Sequence, residues 1–168
     1  MRKALFLDRD GVINIKKNYV YKIKDFVIRD EIYDICLLAK KLDFLIIVVT
    51  NQAGIGRGIF SLNEFLIITD FMINKFKEKG IEIDSVYFCP YHPTNGKGCF
   101  LRDSYLRKPN PGMLLKAKKE FDIDFEKSLM IGDKKTDFLA AQNAKLKIYI
   151  NAESNYWKKE SLDALSRL

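Results

Sequence analysis

The chain has 168 residues, of which 48% are hydrophobic and 30% charged, with a formal net charge of +7 at pH 7. That length fits one domain with a real core, and no apolar run approaches the ~20 residues that cross a bilayer. The basic balance suits an anionic partner. There is no zinc-finger spacing, no aromatic RNA-binding signature and no basic region with heptads, so most of the 29 Lys and Arg residues read as solvated surface.

Met1-Arg2-Lys3 followed by Ala4–Leu7 imitates the start of a secretory signal. Asp8 interrupts it far short of the roughly 7–15 apolar residues a signal needs, so a cytoplasmic protein is expected. Ala4–Leu7 itself reads as a short buried strand that runs straight into Asp8-Arg9-Asp10-Gly11. Two carboxylates that close repel each other and resist leaving water, and folding alone does not ask for them there.

Residues 30–42 place Ile32, Ile35, Cys36, Ala39 and Leu42 at helical spacing. Cys36 reads as plain core, and three cysteines in all are too few and too odd for a disulfide framework. Phe44–Val49 is a second strand, ending in Thr50-Asn51-Gln52 and a glycine-rich turn, Ala53–Gly58. Ser61 with Glu64 forms the pattern of a capping box, opening a helix with Phe65, Ile68, Met72 and Phe76 inward and Gly80 as its stop. Val86–Cys89 is a third strand. Pro111 starts a helix with Leu114, Leu115, Ala117 and Phe121 inward. Leu129–Ile131 is a fourth strand, followed by a helix through Phe138, Ala141 and Ala144. Ile148–Ile150 is a fifth, and a short polar helix near Ser161–Leu168 follows it.

Strand alternating with helix predicts an α/β fold, a Rossmann-like three-layer sandwich around a mostly parallel sheet of about five strands. One domain over residues 1–168 is expected, with a loop insert at about 90–107. Such sheets bind ligands outside the carboxyl ends of their strands, which directs attention to the residues just after each strand.

Asp8 and Asp10, two apart on extended chain, point to one side, and Gly11 permits a sharp turn. The bland alternative is a surface turn or a helix cap. Thr50, Asn51, Gln52 and the turn behind them offer many hydrogen-bond donors to an anion, though no Walker pattern follows. Arg107 and Lys108 stand before a helix N-terminus, where cations are unfavourable; an anion held by Lys108 would resolve that conflict. Asp133 follows the fourth strand at the same edge as Asp8. It can cap the next helix, but it sits too close to the strand end to be only that, whereas for Asp137 both readings hold in part.

Each signal alone is weak, but four in this order after successive strands form a specific pattern. Asp8 with Asp10, Thr50, Lys108, and Gly132-Asp133 with Asp137 resemble the four motifs of the haloacid dehalogenase superfamily of phosphotransferases. LDRDGVIN, VVTNQAGIGRG, CPYHP, RKPNPGM and GDKKTDFLAA resemble, over nearly the whole chain, the heptose bisphosphate phosphatase family within it. The resemblance implies a phosphatase that removes one phosphate from a sugar bisphosphate. Asp8 would be the nucleophile that forms an aspartyl-phosphate, Asp10 the general acid and base, and Thr50 and Lys108 the groups holding phosphoryl oxygens. It implies Mg2+ bound by the Asp8 and Asp133 carboxylates and the Asp10 carbonyl. Substrate contacts would come from Lys16, Lys17, Asn18, Tyr19, Asn51, Gln52, Ala53, Arg107 and Lys134. The roughly twenty residues between Gly11 and the next helix are too few for a lid domain, so an open, capless site is expected. The expected partner is a small sugar phosphate, with no nucleic acid and no membrane, acting on a monomer.

Histidinol-phosphate phosphatase is the nearest rival, followed by a nucleic-acid 3′-phosphatase and a non-catalytic binding module. In the resembled family the loop after the third strand often carries a structural zinc on Cys-x-His and Cys-x-Cys. Here Tyr91, Ser104 and Leu106 stand at three of those positions. Cys89, His92 and Cys99 remain, three where a closed site wants four, so an ordinary loop packed by Tyr91, Phe100 and Tyr105 is expected.

Overall fold

The structure, a computed structural model, describes residues 1–168. Strands β1 (Lys3–Leu7), β2 (Phe44–Asn51), β3 (Ser85–Cys89), β4 (Leu129–Gly132) and β5 (Ile148–Asn151) form one parallel sheet in the order β3-β2-β1-β4-β5. All four pairings are parallel, and β1 lies between β2 and β4. The continuous apolar runs of β1, β2 and β4 follow from burial on both faces, which removes any reason for polar alternation.

The two-residue period of the strand divides the core. Leu5 and Leu7 face a cluster with Ile32, Ile35, Met72, Phe76, Trp157 and Leu165, from helices α1 (Glu31–Lys41), α3 (Leu62–Lys77) and α6 (Trp157–Arg167). Ala4 and Phe6 face the other layer, with Met113, Leu114, Ala117, Ala140 and Ala141 from α4 (Gly112–Phe121) and α5 (Lys135–Asn143). The three-layer α/β architecture is therefore the one the sequence predicts.

The Ser61 capping box forms: Ser61 Oγ accepts from the Glu64 N–H, and Glu64 Oε2 accepts from the Ser61 N–H at 2.7 Å. The glycine-rich turn folds into the four-residue helix α2 (Ala53–Gly56), which periodicity over so short a segment does not reveal. Helix α6 begins at Trp157 rather than near Ser161, because Trp157 is buried under the Arg29 guanidinium, 4.3 Å away. Phe138, read only as part of the helix after the fourth strand, is 44% exposed and packs edge-on against Tyr149.

Between β1 and α1 lie residues 8–30, with one 3-10 turn at Ile23–Asp25 and nothing of the size of a lid domain. The loop after β3 carries a 3-10 turn at Gly98–Phe100 and an isolated bridge between His92 and Leu101. Cys89 is buried, Cys99 is exposed, and His92 Nδ1 accepts from the N–H groups of Thr94 and Asn95. These three side chains do not converge: the acid, Cys and His side chains that do are Asp8, Asp133 and Asp137. Tyr91 and Phe100 pack at 5.9 Å, while Tyr105 is 62% exposed and adds no burial there, contrary to expectation.

Candidate active site

Asp8 continues the β1–β4 ladder by one residue, its N–H donating to the Ile131 carbonyl, so it stands at the carboxyl end of the central strand. Asp133 follows β4 and Thr50 lies one residue before the end of β2, which brings three of the four motifs to one sheet edge. Gly11 turns the chain away at φ +96°, and a Cβ there would run into the Asp133 carboxylate.

Lys108 is the pivot. Its buried ammonium lies 3.0 Å from Asp8 Oδ1 and 2.6 Å from Asp137 Oδ1 and donates to the Val49 carbonyl at 2.8 Å. The anion that resolves the clash of Lys108 with the α4 N-terminus is thus a pair of the chain's own carboxylates. Burial works against the charge of Lys108, but Asp8 and Asp137 outweigh it and raise its pKa above the ordinary lysine value. Burial also pushes Asp8 up, yet Lys108 and Lys134, with a hydrogen bond from the Arg9 N–H, bring its carboxyl below the usual range. Asp8 Oδ1 is committed to Lys108 and Arg9; Oδ2 has no hydrogen bond and stands 3.8 Å from Lys134 Nζ.

Asp10 is held apart from that cluster. Arg9 grips its carboxylate with Nε and one terminal nitrogen, Gln52 Nε2 donates to Oδ2 at 3.0 Å, and Asn14 Nδ2 donates to Oδ1 at 3.1 Å. The same Arg9 nitrogen donates to the Val20 carbonyl at 2.7 Å, and the guanidinium is 1% exposed. Gln52 also donates to Thr50 Oγ1, leaving the threonine's own proton free. Asn51 clamps the Lys108 backbone, accepting from its N–H and donating to its carbonyl. Asp137 Oδ2 accepts from the N–H groups of Asp133 and Lys134 and so shapes the start of α5 as well as anchoring Lys108.

These groups open onto a cleft of about 350 Å³. Asp8, Asp10, Lys16, Lys17, Tyr19, Asn51, Gln52, Ala53, Arg107 and Lys134 line it. Asn18 is exposed and lies outside the lining, and Thr50, Lys108 and Asp133 stand behind it. Both side-chain ends of Asn51 are used on the Lys108 backbone, and Gln52 commits its Nε2 to Asp10 and Thr50, while both residues still line the cleft. Sequence reasoning assigned no role to Arg9, although a cation between two acids was a readable signal. It also missed Arg57, which donates to the Tyr19 hydroxyl and ties the 16–20 loop to α2; nothing local announces that pairing.

A divalent cation fits the site. Asp8, Asp133 and Asp137 offer oxygens within 4.8 Å of one another. Burial raises the pKa of both Asp133 and Asp137, the mark of a cluster short of positive charge. Asp137 has both oxygens engaged by Lys108 and by backbone N–H groups. Asp133, by contrast, accepts from no backbone N–H: its Oδ2 meets the half-exposed Lys16 at 2.7 Å, and its Oδ1 has only Lys134 at 3.8 Å. Asp8 Oδ2 and Asp133 are therefore the carboxylates available to hard metal coordination.

A buried, ionised carboxylate beside a second one, at the carboxyl edge of a parallel sheet under a cation-lined cleft, is an arrangement suited to a phosphohydrolase. Consistent with that class, a HAD-hydrolase-like family model matches residues 105–160, which contain Lys108, Asp133 and Asp137. The chain is 51% identical over 142 residues to D-glycero-alpha-D-manno-heptose-1,7-bisphosphate 7-phosphatase of Burkholderia mallei, covering 84% of this chain and 75% of that protein. It is 46% identical over 147 residues to the beta-anomer enzyme of Pasteurella multocida, covering 88% and 79%. Among solved structures, a D,D-heptose 1,7-bisphosphate phosphatase of B. bronchiseptica, complexed with magnesium and phosphate, superposes with a TM-score of 0.75 at 29% identity over 84% of this chain and 76% of that one. The chain belongs to the D-glycero-D-manno-heptose-1,7-bisphosphate 7-phosphatase family of HAD-like hydrolases. It is a phosphoric monoester hydrolase.

Proposed function

We propose that this protein removes the 7-phosphate from a D-glycero-D-manno-heptose 1,7-bisphosphate through an aspartyl-phosphate on Asp8. The observation that carries the reading is the asymmetry of that carboxylate: Oδ1 is fixed by Lys108 and the Arg9 N–H, and Oδ2 is left without a hydrogen bond. Oδ2 attacks phosphorus as the bond from phosphorus to the sugar oxygen breaks. Asp10 gives a proton to that leaving oxygen and later takes one from the water that attacks the aspartyl-phosphate, so Asp8 is regenerated and inorganic phosphate released.

Thr50 donates its free hydroxyl proton to a phosphoryl oxygen, with Gln52 fixing the rotamer. Lys108 keeps Asp8 ionised and oriented, and Asp137 holds Lys108 in place. Asp8, Asp133 and the Asp10 carbonyl would hold Mg2+, which supplies charge neutralisation on the transferring phosphoryl group. Lys16, Lys17, Arg107 and Lys134 give the cleft the cationic rim that a doubly phosphorylated sugar needs. With no lid in residues 8–30, the loops alone select the substrate, in a single domain acting as a monomer.

The test is a panel of both heptose bisphosphate anomers, histidinol phosphate and a 3′-phosphorylated oligonucleotide, each with and without magnesium. Turnover of a heptose bisphosphate at least tenfold above the others, and only with magnesium, is expected. Preference for histidinol phosphate or the oligonucleotide overturns the substrate assignment.

A further inference from the structure

Lys16 occupies an unusual position for a half-exposed loop lysine. Its ammonium lies 2.7 Å from Asp133 Oδ2, with Glu153 Oε1 at 3.7 Å on its other side. The Asp133 carboxylate is 2% exposed, and the other cation near it, Lys134, stands back at 3.8 Å. Lys16 thus supplies the nearest positive charge to a buried carboxylate that no backbone N–H supports. Its stem borders both the main cleft and a smaller cavity of about 210 Å³ shared with Gly11, Arg29, Asp133 and Glu153.

We propose that Lys16 is a tethered competitor for the divalent cation, seated on Asp133 when the metal is absent and released into the substrate cleft when it binds. The inference rests on the metal reading given above. An ammonium held 2.7 Å from Asp133 Oδ2 and a divalent ion on the same carboxylate stand only a few ångströms apart, and the repulsion between the two cations sets them in competition. A lysine ammonium rides on four flexible carbons and moves without disturbing the backbone. The anion it meets on release is the phosphate of a substrate in the cleft that Lys16 already lines. Metal binding then makes a cation available to the substrate, and substrate, by engaging that cation, keeps it away from Asp133. The two ligands are coupled through one side chain, and the coupling is reciprocal.

Manganese affinity is measured by electron paramagnetic resonance in the wild type, Lys16→Met, Lys16→Arg and Lys17→Met, with and without inorganic phosphate. Lys16→Met is expected to bind the metal at least fivefold more tightly than wild type and to lose part of the enhancement that phosphate gives. Lys16→Arg, which keeps the charge, stays within twofold of wild type. Lys17→Met removes the same charge one residue away, where the ammonium pairs with Asp25 at 3.8 Å, and is also expected within twofold. Equal affinity of Lys16→Met and wild type, or equal shifts in Lys16→Met and Lys17→Met, overturns the inference. A wild type that takes up no metal refutes the metal reading itself.

Discussion

A lysine ammonium buried to 3% exposure is costly unless it is paired, and Lys108 meets that demand with Asp8 and Asp137, one near each end of the chain. The pairing fixes Asp8 Oδ1 and keeps the carboxylate proposed as nucleophile ionised. Asp8→Asn preserves shape while removing the attacking charge, so turnover is expected to fall to background while circular dichroism stays unchanged; substantial residual phosphate release would remove Asp8 as nucleophile. Arg107 plays a different part. It lines the cleft and donates to the Tyr91 carbonyl at 3.2 Å, but has no contact with the carboxylate cluster. Arg107→Ala should raise KM for the sugar bisphosphate several-fold more than it harms hydrolysis of a small aryl phosphate. Equal losses on the two substrates would contradict that assignment.

Elements position these residues through their ends. Helix α3 begins at a complete capping box outside the cleft lining, and removing it isolates the worth of one helix terminus. Ser61→Ala is expected to cost about 1 kcal/mol in urea unfolding, with kcat unchanged. The turn after β1 is the opposite case, an end that serves the site. At φ +96° and against Asp133, Gly11 has room for no side chain. Gly11→Ala should cost roughly 1–3 kcal/mol through backbone strain and should also weaken metal binding by displacing Asp133. A variant with wild-type urea midpoint and metal affinity would show that the turn can relax. Helix α5 is started by an acid that caps and anchors at once: Asp137 accepts two backbone N–H groups on one oxygen and meets Lys108 with the other.

On the scale of the whole molecule, the parallel sheet gathers Asp8, Asp133 and Asp137 into one charge cluster drawn from β1, the β4–α5 turn and α5. A cation bound at that cluster, as proposed, would offset the repulsion among its carboxylates. A cation at a hundredfold its dissociation constant stabilises the fold by about 2.7 kcal/mol, which for a chain of this size is a rise of roughly 5–10 °C in melting temperature. Thermal scans with magnesium should show that rise, and chelator should reverse it. Asp133→Asn should lose most of it; a full rise in that variant would place the metal elsewhere.

How far the chain could be read from its sequence follows from which forces are local. Strand and helix periodicities are properties of neighbouring residues, so all five strands and the helices at 31–41, 62–77, 112–121 and 135–143 were legible to within a few positions. The rule that parallel sheets present their carboxyl ends together then placed Asp8, Thr50 and Asp133 at one edge before any coordinates. Partner choice is not local. Asn51 clamps a backbone 57 residues away, and Gln52 reaches back 42 residues to Asp10, so two groups read as substrate contacts also hold Lys108 and Asp10 in place while lining the cleft. The early start of α6 depends on Arg29 covering Trp157, and the seat of Lys16 depends on where β4 delivers Asp133. Local pattern sets the strands, most of the helices and the sheet edge at which the acidic residues gather. Which side chains face the ligand and which face each other was decided by tertiary packing alone, because it rests on distances between segments that no local pattern encodes.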